Sequence, residues 1–187
     1  MATETAIYLI RHAHADWCDD DARPLSRVGR ETAHQVADRL TSSAIAALYT
    51  SPSRRSRETI APLAQRLGLS PEVVPDLRER ELPVVPPDEF DALVRQAWAF
   101  PAAAPRGGES NVRAQVRGLA VLRAVLERHP GSQAALVTHG NLLTLMVNAL
   151  DPSVGYQFWR QLSFPDIYRL AFDGEAFRGV EHLWGPA

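Results

Sequence analysis

The sequence predicts an α/β fold: a three-layer α/β/α sandwich with a mostly parallel central sheet, a short cap insertion and a C-terminal antiparallel hairpin at the sheet edge. Short apolar runs alternate with segments whose apolar residues recur at helical spacing, which is typical of strands alternating with helices. Continuous apolar runs indicate strands that helices cover on both faces. With 187 residues and 45% hydrophobic content, residues 1–187 are predicted to form a single domain with a full core.

Three apolar runs are predicted to be the buried parallel strands, over residues 6–10, 46–50 and 134–138. A helical pattern follows each run, and a further long helix is predicted over residues 109–128. Near the C-terminus, runs over residues 167–172 and 176–183 flank the dipeptide Asp173-Gly174. Asp-Gly is a strong hairpin turn signal, so these two runs are predicted to pair antiparallel at a sheet edge.

The segment over residues 82–108 differs from the rest because five prolines interrupt it. A single short helical stretch is predicted within it, over residues 88–98. We interpret the segment as a cap inserted into the core domain. Its aromatic residues Phe90, Trp98 and Phe100 could line a substrate's organic part, but a small core of the cap itself is the favoured interpretation.

Composition excludes several classes of protein. The net charge of −2 offers no basic surface for nucleic acid or for an anionic membrane. A single cysteine, Cys18, cannot form an internal disulfide and favours a reducing compartment. The N-terminus lacks the charged region of a signal peptide, and no apolar run approaches the roughly 18 residues of a membrane span. A soluble cytoplasmic protein is therefore predicted.

Polar residues follow each predicted strand. The first strand runs into residues 11–13 (Arg-His-Ala), the second into the arginine-rich residues 50–57, and the third into residues 138–141 (Thr-His-Gly-Asn). Ligands bind beyond the carboxyl ends of parallel strands. Ser51 is predicted to cap the next helix, with Pro52 at its first position, and a helix N-terminus attracts anions. The sequence therefore predicts a phosphate site at this edge.

Each of these segments also has a simpler interpretation, as a surface pair, a solvated helix start or a plain turn. Their common position at three strand ends favours the phosphate site. The rival enzyme class is a metal hydrolase. In that class His12 and His14 would be metal ligands, with Asp16 assisting them. Against it, 187 residues fall short of the roughly 250 of an eight-fold barrel, and His139 lacks an acidic cluster.

Six segments together resemble the motifs of one family in their order. The chain is similar to the histidine phosphatase superfamily, also called phosphoglycerate mutase-like, branch 1, over about residues 5–150. The matching segments are IYLIRHAHADW, PLSRVGRETAHQVADRL, YTSPSRRSRET, LRERELP, GGES and LVTHGN. Six motifs in the right order make the resemblance specific, although each alone is weak.

The resemblance implies roles for five residues. His12 would be the nucleophile that accepts the phosphoryl group, and Glu79 would protonate the leaving group. Arg11, Arg55 and His139 would bind the phosphate oxygens, and His139 is counted with the catalytic residues. No cofactor and no metal are implied, because the arginines and His139 are expected to carry the positive charge.

The chemistry requires these residue types. Phosphoryl transfer places charge on the equatorial oxygens, which fixed cationic donors stabilise. A neutral imidazole can attack phosphorus when a backbone carbonyl holds its other nitrogen as a donor. A carboxylic acid can protonate the leaving alkoxide and then activate water. Glu79 is preferred to Glu81 because of its spacing from Leu77, while Arg78 and Arg80 are expected at the surface.

Three further residues are candidate substrate contacts: His14, Ser110 and Asn141. His14 is more simply interpreted as a solvated loop residue than as a substrate contact. For Ser110, a position at the start of a helix and a contact with the substrate are equally favoured. The substrate is expected to be a small phosphorylated metabolite or a phosphoprotein. No nucleic acid or membrane partner is expected, and a homodimer is left open.

The chain departs from the family pattern at several positions. Ala13 replaces the usual glycine, and Ala15 and Cys18 replace polar residues that mutase-like members carry. The cap is also shorter than in the mutases. These departures favour a phosphatase, with mutase-type transfer or non-catalytic phosphate binding as the alternatives.

Overall fold

The computed structural model describes residues 4–16 and 22–185. Its centre is a six-stranded sheet of β1 (Thr5–Arg11), β2 (Ile45–Thr50), β3 (Glu72–Val73), β4 (Gln133–Thr138), β5 (Asp166–Asp173) and β6 (Ala176–His182). The strand order is β3-β2-β4-β1-β5-β6. The first four strands pair in parallel, and β5 is antiparallel to both β1 and β6. The predicted fold class is confirmed.

The described residues form six helices: α1 (Arg27–Leu40), α2 (Arg54–Leu67), α3 (Pro87–Ala99), α4 (Asn111–Arg128), α5 (Gly140–Leu150) and α6 (Tyr156–Gln161). Two 3-10 turns span Pro75–Leu77 and Pro105–Gly107. The sequence analysis did not predict α6, because six residues are too few to show a helical period. Within the described ranges, no helix is both long and apolar enough to cross a membrane.

Helices α1 and α2 lie on one face of the sheet, and α4 and α5 lie on the other. On one face, α1 and α2 bury Val36, Ile60 and Leu63 against the strands. On the other face, α4 and α5 pack so closely that a Cβ on Gly118 would lie 2.7 Å from the Met146 side chain. Both faces are therefore covered, which explains the continuous apolar runs of the strands.

The start of α2 corrects one prediction. The residue that caps this helix is Ser53, whose hydroxyl accepts a hydrogen bond from the Ser56 N–H, and not Ser51. Ser51 still belongs to the sheet ladder, because its N–H donates to the Val137 carbonyl at 2.9 Å. Its hydroxyl is consequently available to the site at the strand ends.

The C-terminal hairpin is antiparallel as predicted, but its turn lies one residue later. Asp173 still pairs with Ala176, and the two turn residues are Gly174 and Glu175. Gly174 has a φ of 58°, which glycine adopts without steric cost.

The cap segment contains α3, one residue longer at each end than predicted. Its aromatic residues do not form a separate core. Trp98 packs against the main core, Phe100 is 63% exposed, and the Phe90 ring lies 6.1 Å from the Trp159 ring of α6. The prediction of a small cap core is wrong, because the three aromatic side chains have different surroundings.

Candidate active site

His12 lies directly beyond β1, with its ring buried. Its Nδ1 is 2.8 Å from the Ala13 carbonyl oxygen, which can only accept, so Nδ1 carries the proton and donates. The Nε2 atom is then the basic nitrogen, and the Arg55 Nε donates to it at 3.2 Å. The ring is therefore held in the tautomer that a nucleophile at Nε2 requires.

The environment keeps His12 uncharged. Burial lowers the pKa of His12 to about 3; the Ala13 carbonyl opposes this shift, and the charges of Arg55, Arg11 and Arg23 add to it. The imidazole is neutral throughout the physiological pH range, with its Nε2 lone pair free of a proton.

His139 follows β4 and is also buried. Its Nε2 lies 2.8 Å from the Ser51 hydroxyl, and its Nδ1 accepts from Arg55 Nη2 at 3.2 Å. Burial, with the neighbouring His12 and Arg55, lowers the pKa of His139 well below its usual value. His139 is thus neutral in this structure, and the cations beside it are arginines.

Arg55 lies between the two histidines and is buried. Its Nε and Nη2 donate to different rings, whose centroids are 5.0 Å apart. Thr59, one turn further along α2, connects this helix to the loop after β1: its Oγ1 donates to the Arg55 carbonyl at 2.7 Å and accepts from the Ala13 N–H at 3.0 Å. The site's geometry therefore depends on the contact of α2 with the loop after β1.

Arg11 closes another side of the site. Its Nη1 donates to the carbonyls of Leu162 at 2.8 Å and Ser163 at 3.2 Å, and its guanidinium stacks 3.3 Å from the Phe164 ring centroid. A Cβ on Gly140 would lie 3.1 Å from Arg11 Nε, so glycine leaves room for the guanidinium. Burial lowers the pKa of Arg11 to about 10, and the group remains cationic at neutral pH.

Glu79 lies in the loop after the first 3-10 turn, beside the N-terminus of α5. Its carboxylate accepts from the backbone N–H groups of Asn141 at 3.2 Å, Leu142 at 3.1 Å and Arg80 at 2.8 Å. Its charge acts on Arg11, whose pKa it raises against the effect of burial. The other candidate, Glu81, is exposed and lies 3.5 Å from the Arg78 Nε.

The three candidate substrate contacts have different surroundings. His14 is exposed, with Nδ1 2.9 Å from the Ser26 hydroxyl and its ring 6.1 Å from that of Phe164. Ser110 caps α4, its hydroxyl accepting from the Arg113 N–H at 3.2 Å, so its helix-start interpretation matches the structure. Asn141 contacts Glu79, as its Nδ2 donates at 3.5 Å.

The departures from the family pattern fit the backbone where it is described. Ala44 is the only non-glycine residue with a positive φ in residues 4–16 and 22–185, so Ala13 needs no glycine. Ala15 forms an isolated bridge with Leu25. Cys18 lies outside the described residues.

The sequence did not indicate the positions of Phe164, Arg23 and Arg80 around the site. Phe164 stacks on Arg11 from a loop more than 150 residues away, Arg23 lowers the pKa of both His12 and His139, and Arg80 is only 2% exposed. The expected surface position of Arg80 is therefore wrong, because its guanidinium packs inward and donates to the Asn111 side chain. No local signal identifies these residues, since their partners are distant in sequence.

In the part of the chain that the structure describes, no group of three or more His, Cys, Asp or Glu side chains is arranged to hold a metal ion. Within the site, the cationic groups that reach His12 and His139 are arginines. A neutral imidazole, arginine donors and a nearby carboxylate together define a site for phosphoryl transfer.

Comparison with known proteins agrees with this site. The sequence model of the histidine phosphatase superfamily (branch 1) matches residues 7–183. A probable phosphoglycerate mutase GpmB from Cronobacter sakazakii is 28% identical over 158 residues, covering 77% of this chain and 74% of the relative. The chain belongs to the histidine phosphatase superfamily, branch 1, and the enzyme is of the phosphatase or mutase kind, with phosphoryl transfer through histidine.

Solved structures share the fold over nearly the whole chain. Bacillus stearothermophilus YhfR superposes with a TM-score of 0.78 at 27% identity, covering 93% of this chain and 94% of that one. A mycobacterial glucosyl-3-phosphoglycerate phosphatase has a TM-score of 0.77 at 24% identity, covering 96% and 97%. The second likeness, at this identity, concerns the fold alone.

Proposed function

We propose that this protein is a metal-independent phosphatase that hydrolyses a phosphate monoester through a phosphohistidine on His12. The observation that carries the proposal is the arrangement of the His12 ring, with Nδ1–H bound to the Ala13 carbonyl and Nε2 facing Arg55. The neutral Nε2 of His12 faces the guanidinium of Arg55. A phosphoryl group bound there would have its phosphorus beside Nε2 and one of its oxygens beside Arg55.

In the first step, the His12 Nε2 lone pair forms a bond to phosphorus, and the bond between phosphorus and the ester oxygen breaks. Arg11 and Arg55 stabilise the charge on the non-bridging oxygens. The carboxyl group of Glu79 gives its proton to the departing oxygen, so the alcohol leaves neutral. The products of this step are the alcohol, phosphohistidine and the Glu79 carboxylate.

In the second step, water attacks phosphorus while the Glu79 carboxylate accepts a proton from it. The bond to Nε2 breaks, and inorganic phosphate and the neutral His12 are regenerated. His139 takes part as a phosphate ligand: a bound dianion would raise the pKa of His139, opposing the effect of burial, and favour donation from both ring nitrogens.

Two features support hydrolysis over transfer to a second substrate. Ala15 has no hydroxyl where the mutase-like pattern has one, and the cap over residues 82–108 contains only one α-helix among its described residues. An open site admits water to phosphohistidine. Mutase-type transfer is the second candidate function, because curated relatives are named probable phosphoglycerate mutases. Non-catalytic phosphate binding is the third candidate.

We further propose a small phosphorylated metabolite or a phosphoprotein as substrate, and a cytoplasmic location.

The test is hydrolysis of phenyl phosphate and p-nitrophenyl phosphate by the wild type, His12→Ala and His34→Ala, each with and without excess EDTA. We expect wild-type release of phosphate that EDTA does not change, and a loss of at least about 10³-fold in His12→Ala. His34 is an exposed histidine of α1, and His34→Ala, the matched control, should stay within about threefold.

Loss of activity in EDTA, or full activity of His12→Ala, would contradict the mechanism. Interconversion of phosphoglycerates with no release of phosphate would favour the mutase alternative. Binding of phosphate without turnover of either ester would favour the non-catalytic one.

A further inference from the structure

One arginine of α4 binds the backbone of the loop that carries Glu79. The Arg117 side chain is 10% exposed. Its Nη1 donates to the carbonyls of Asp76 at 2.6 Å and Arg78 at 2.9 Å, and its Nη2 donates to the carbonyl of Glu79 at 3.2 Å. A single guanidinium thus satisfies three carbonyls within four residues of irregular backbone.

Glu109 holds this guanidinium in place. Arg117 Nε and Nη2 donate to the two Glu109 carboxylate oxygens, each at 2.7 Å, in the planar two-point geometry that only arginine provides. Burial alone would raise the pKa of Glu109, but the hydrogen bonds and charge of Arg117 hold it below its usual value. The Glu109 N–H also donates to the Glu81 carbonyl at 2.8 Å, on the other side of Glu79.

The loop has other anchors on both sides of Glu79. The buried Leu77 has its carbonyl bound by the Thr138 hydroxyl at 2.8 Å, and the Arg80 guanidinium is buried and hydrogen-bonded. The Glu79 carboxylate accepts from the backbone N–H groups at the start of α5. The Glu79 carbonyl, between these anchors, accepts from Arg117. Loss of Arg117 would free the backbone at Glu79, and a displacement of about 1 Å at a reacting group can reduce a rate by about 10²-fold.

We propose that Arg117, held by Glu109, is a positioning residue that sets the distance between the Glu79 carboxyl and the leaving-group oxygen. The inference rests on the proposed function and assigns to this buried ion pair a role in proton donation. Arg117 acts through Glu79 and does not touch the substrate.

The leaving group distinguishes positioning from general stability. p-Nitrophenol leaves readily as its anion and needs little help from a proton donor, whereas phenol needs the donor. A defect confined to proton donation therefore slows phenyl phosphate much more than p-nitrophenyl phosphate. Partial unfolding or a distorted phosphate site slows both esters equally.

The experiment measures kcat/KM for both esters in the wild type, Arg117→Lys, Glu109→Gln/Arg117→Met and Glu79→Gln, because kcat/KM reports the steps through release of the alcohol and leaves out the hydrolysis of phosphohistidine, in which Glu79 also acts. The double variant removes both charges, so no unpaired charge remains buried. We expect Arg117→Lys and the double variant to lose about tenfold or more in kcat/KM for phenyl phosphate and less than about threefold for p-nitrophenyl phosphate. Glu79→Gln should show the same selectivity, but more strongly.

The matched control is Arg128→Met, on the same helix, because Arg128 pairs with Glu72 at 3.0 Å but binds none of the three carbonyls. It should leave both rates unchanged. In addition, adding Arg117→Lys to Glu79→Gln should produce no further selective loss, since the residue through which Arg117 acts is already absent.

Equal losses on the two esters, or a selective loss that persists in the Glu79→Gln background, would overturn the inference while leaving the proposed function intact. Absence of turnover by the wild type on both esters would overturn both.

Discussion

The side of the site proposed to bind phosphate and the cap are built in contrasting ways. On the phosphate side His12, Arg55 and His139 are all buried, and every ring nitrogen of the two histidines has a hydrogen-bond partner. On the cap, Val84 is 96% exposed and Phe100 is 63% exposed. Under the proposed function the two regions have different tasks, because the phosphoryl group is the same in every monoester, whereas the organic part of the substrate varies.

The two regions differ because their backbones are hydrogen-bonded to the rest of the molecule in different ways. The two histidines follow paired strands, with Arg11 opposite Thr138 in the ladder, and the His12 N–H donates to the Thr138 carbonyl at 3.0 Å. The cap is joined to the rest by fewer bonds, such as those from Asn111 Nδ2 to the Ala97 carbonyl and from the Val112 N–H to the Pro101 carbonyl. Changes in the cap should therefore alter substrate preference without altering the phosphate site.

The largest expected effect lies on the phosphate side. Arg55→Met should lower kcat/KM for phenyl phosphate by about 10²–10³-fold, because one fixed donor to the transferring group is lost. Arg54→Met should change it by less than about twofold, since Arg54 is exposed and pairs only with Glu58 among its described contacts. Similar losses in the two variants would contradict the placement of the phosphate beside Arg55.

An intermediate effect concerns pH and stability. The folded pKa of His12 is about 3, and its unfolded value is about 6.5, so between these values only the unfolded chain binds the proton. The free energy of unfolding should therefore be constant above about pH 6.5 and fall below it, by about 1 kcal/mol between pH 7 and 5.5 from His12 alone. Burial of His139 acts in the same direction.

Urea unfolding at a series of pH values, for the wild type and His12→Asn, measures this contribution. The variant should show a shallower dependence, by about one proton near pH 5. Parallel curves would show that the His12 ring is not desolvated in the folded protein.

The smallest expected effect lies on the cap. Phe100→Ser should change the free energy of unfolding by less than about 0.5 kcal/mol, because the side chain is mostly in water. Leu77→Ala, which empties a buried position beside the site, should cost about 2–5 kcal/mol. Thermal and urea unfolding of both variants measure the contrast, and a large loss in Phe100→Ser would show that the cap is part of the core.

Sequence reasoning succeeded where local pattern and chain topology agree. The strands and the antiparallel hairpin follow from apolar runs and a turn dipeptide, and parallel pairing places residues 11–13, 54–57 and 138–141 at one edge. It failed where a residue's role depended on hydrogen bonds between segments that are distant in sequence. Ser51 and Ser53 are both good capping residues, and the sheet ladder, which retains Ser51, decides between them.

The sequence by itself determined the fold class, the family and the residue types at the phosphate edge, because apolar periodicity and short motifs are local properties. Only the tertiary structure decided the charge states of His12 and His139, since burial and neighbouring arginines set their pKa values. It also decided the inward position of Arg80 and the contact of Arg117 with the Glu79 loop. An arginine has the same formal charge everywhere in a sequence, but its partners depend on which distant carbonyls and carboxylates the fold brings to it.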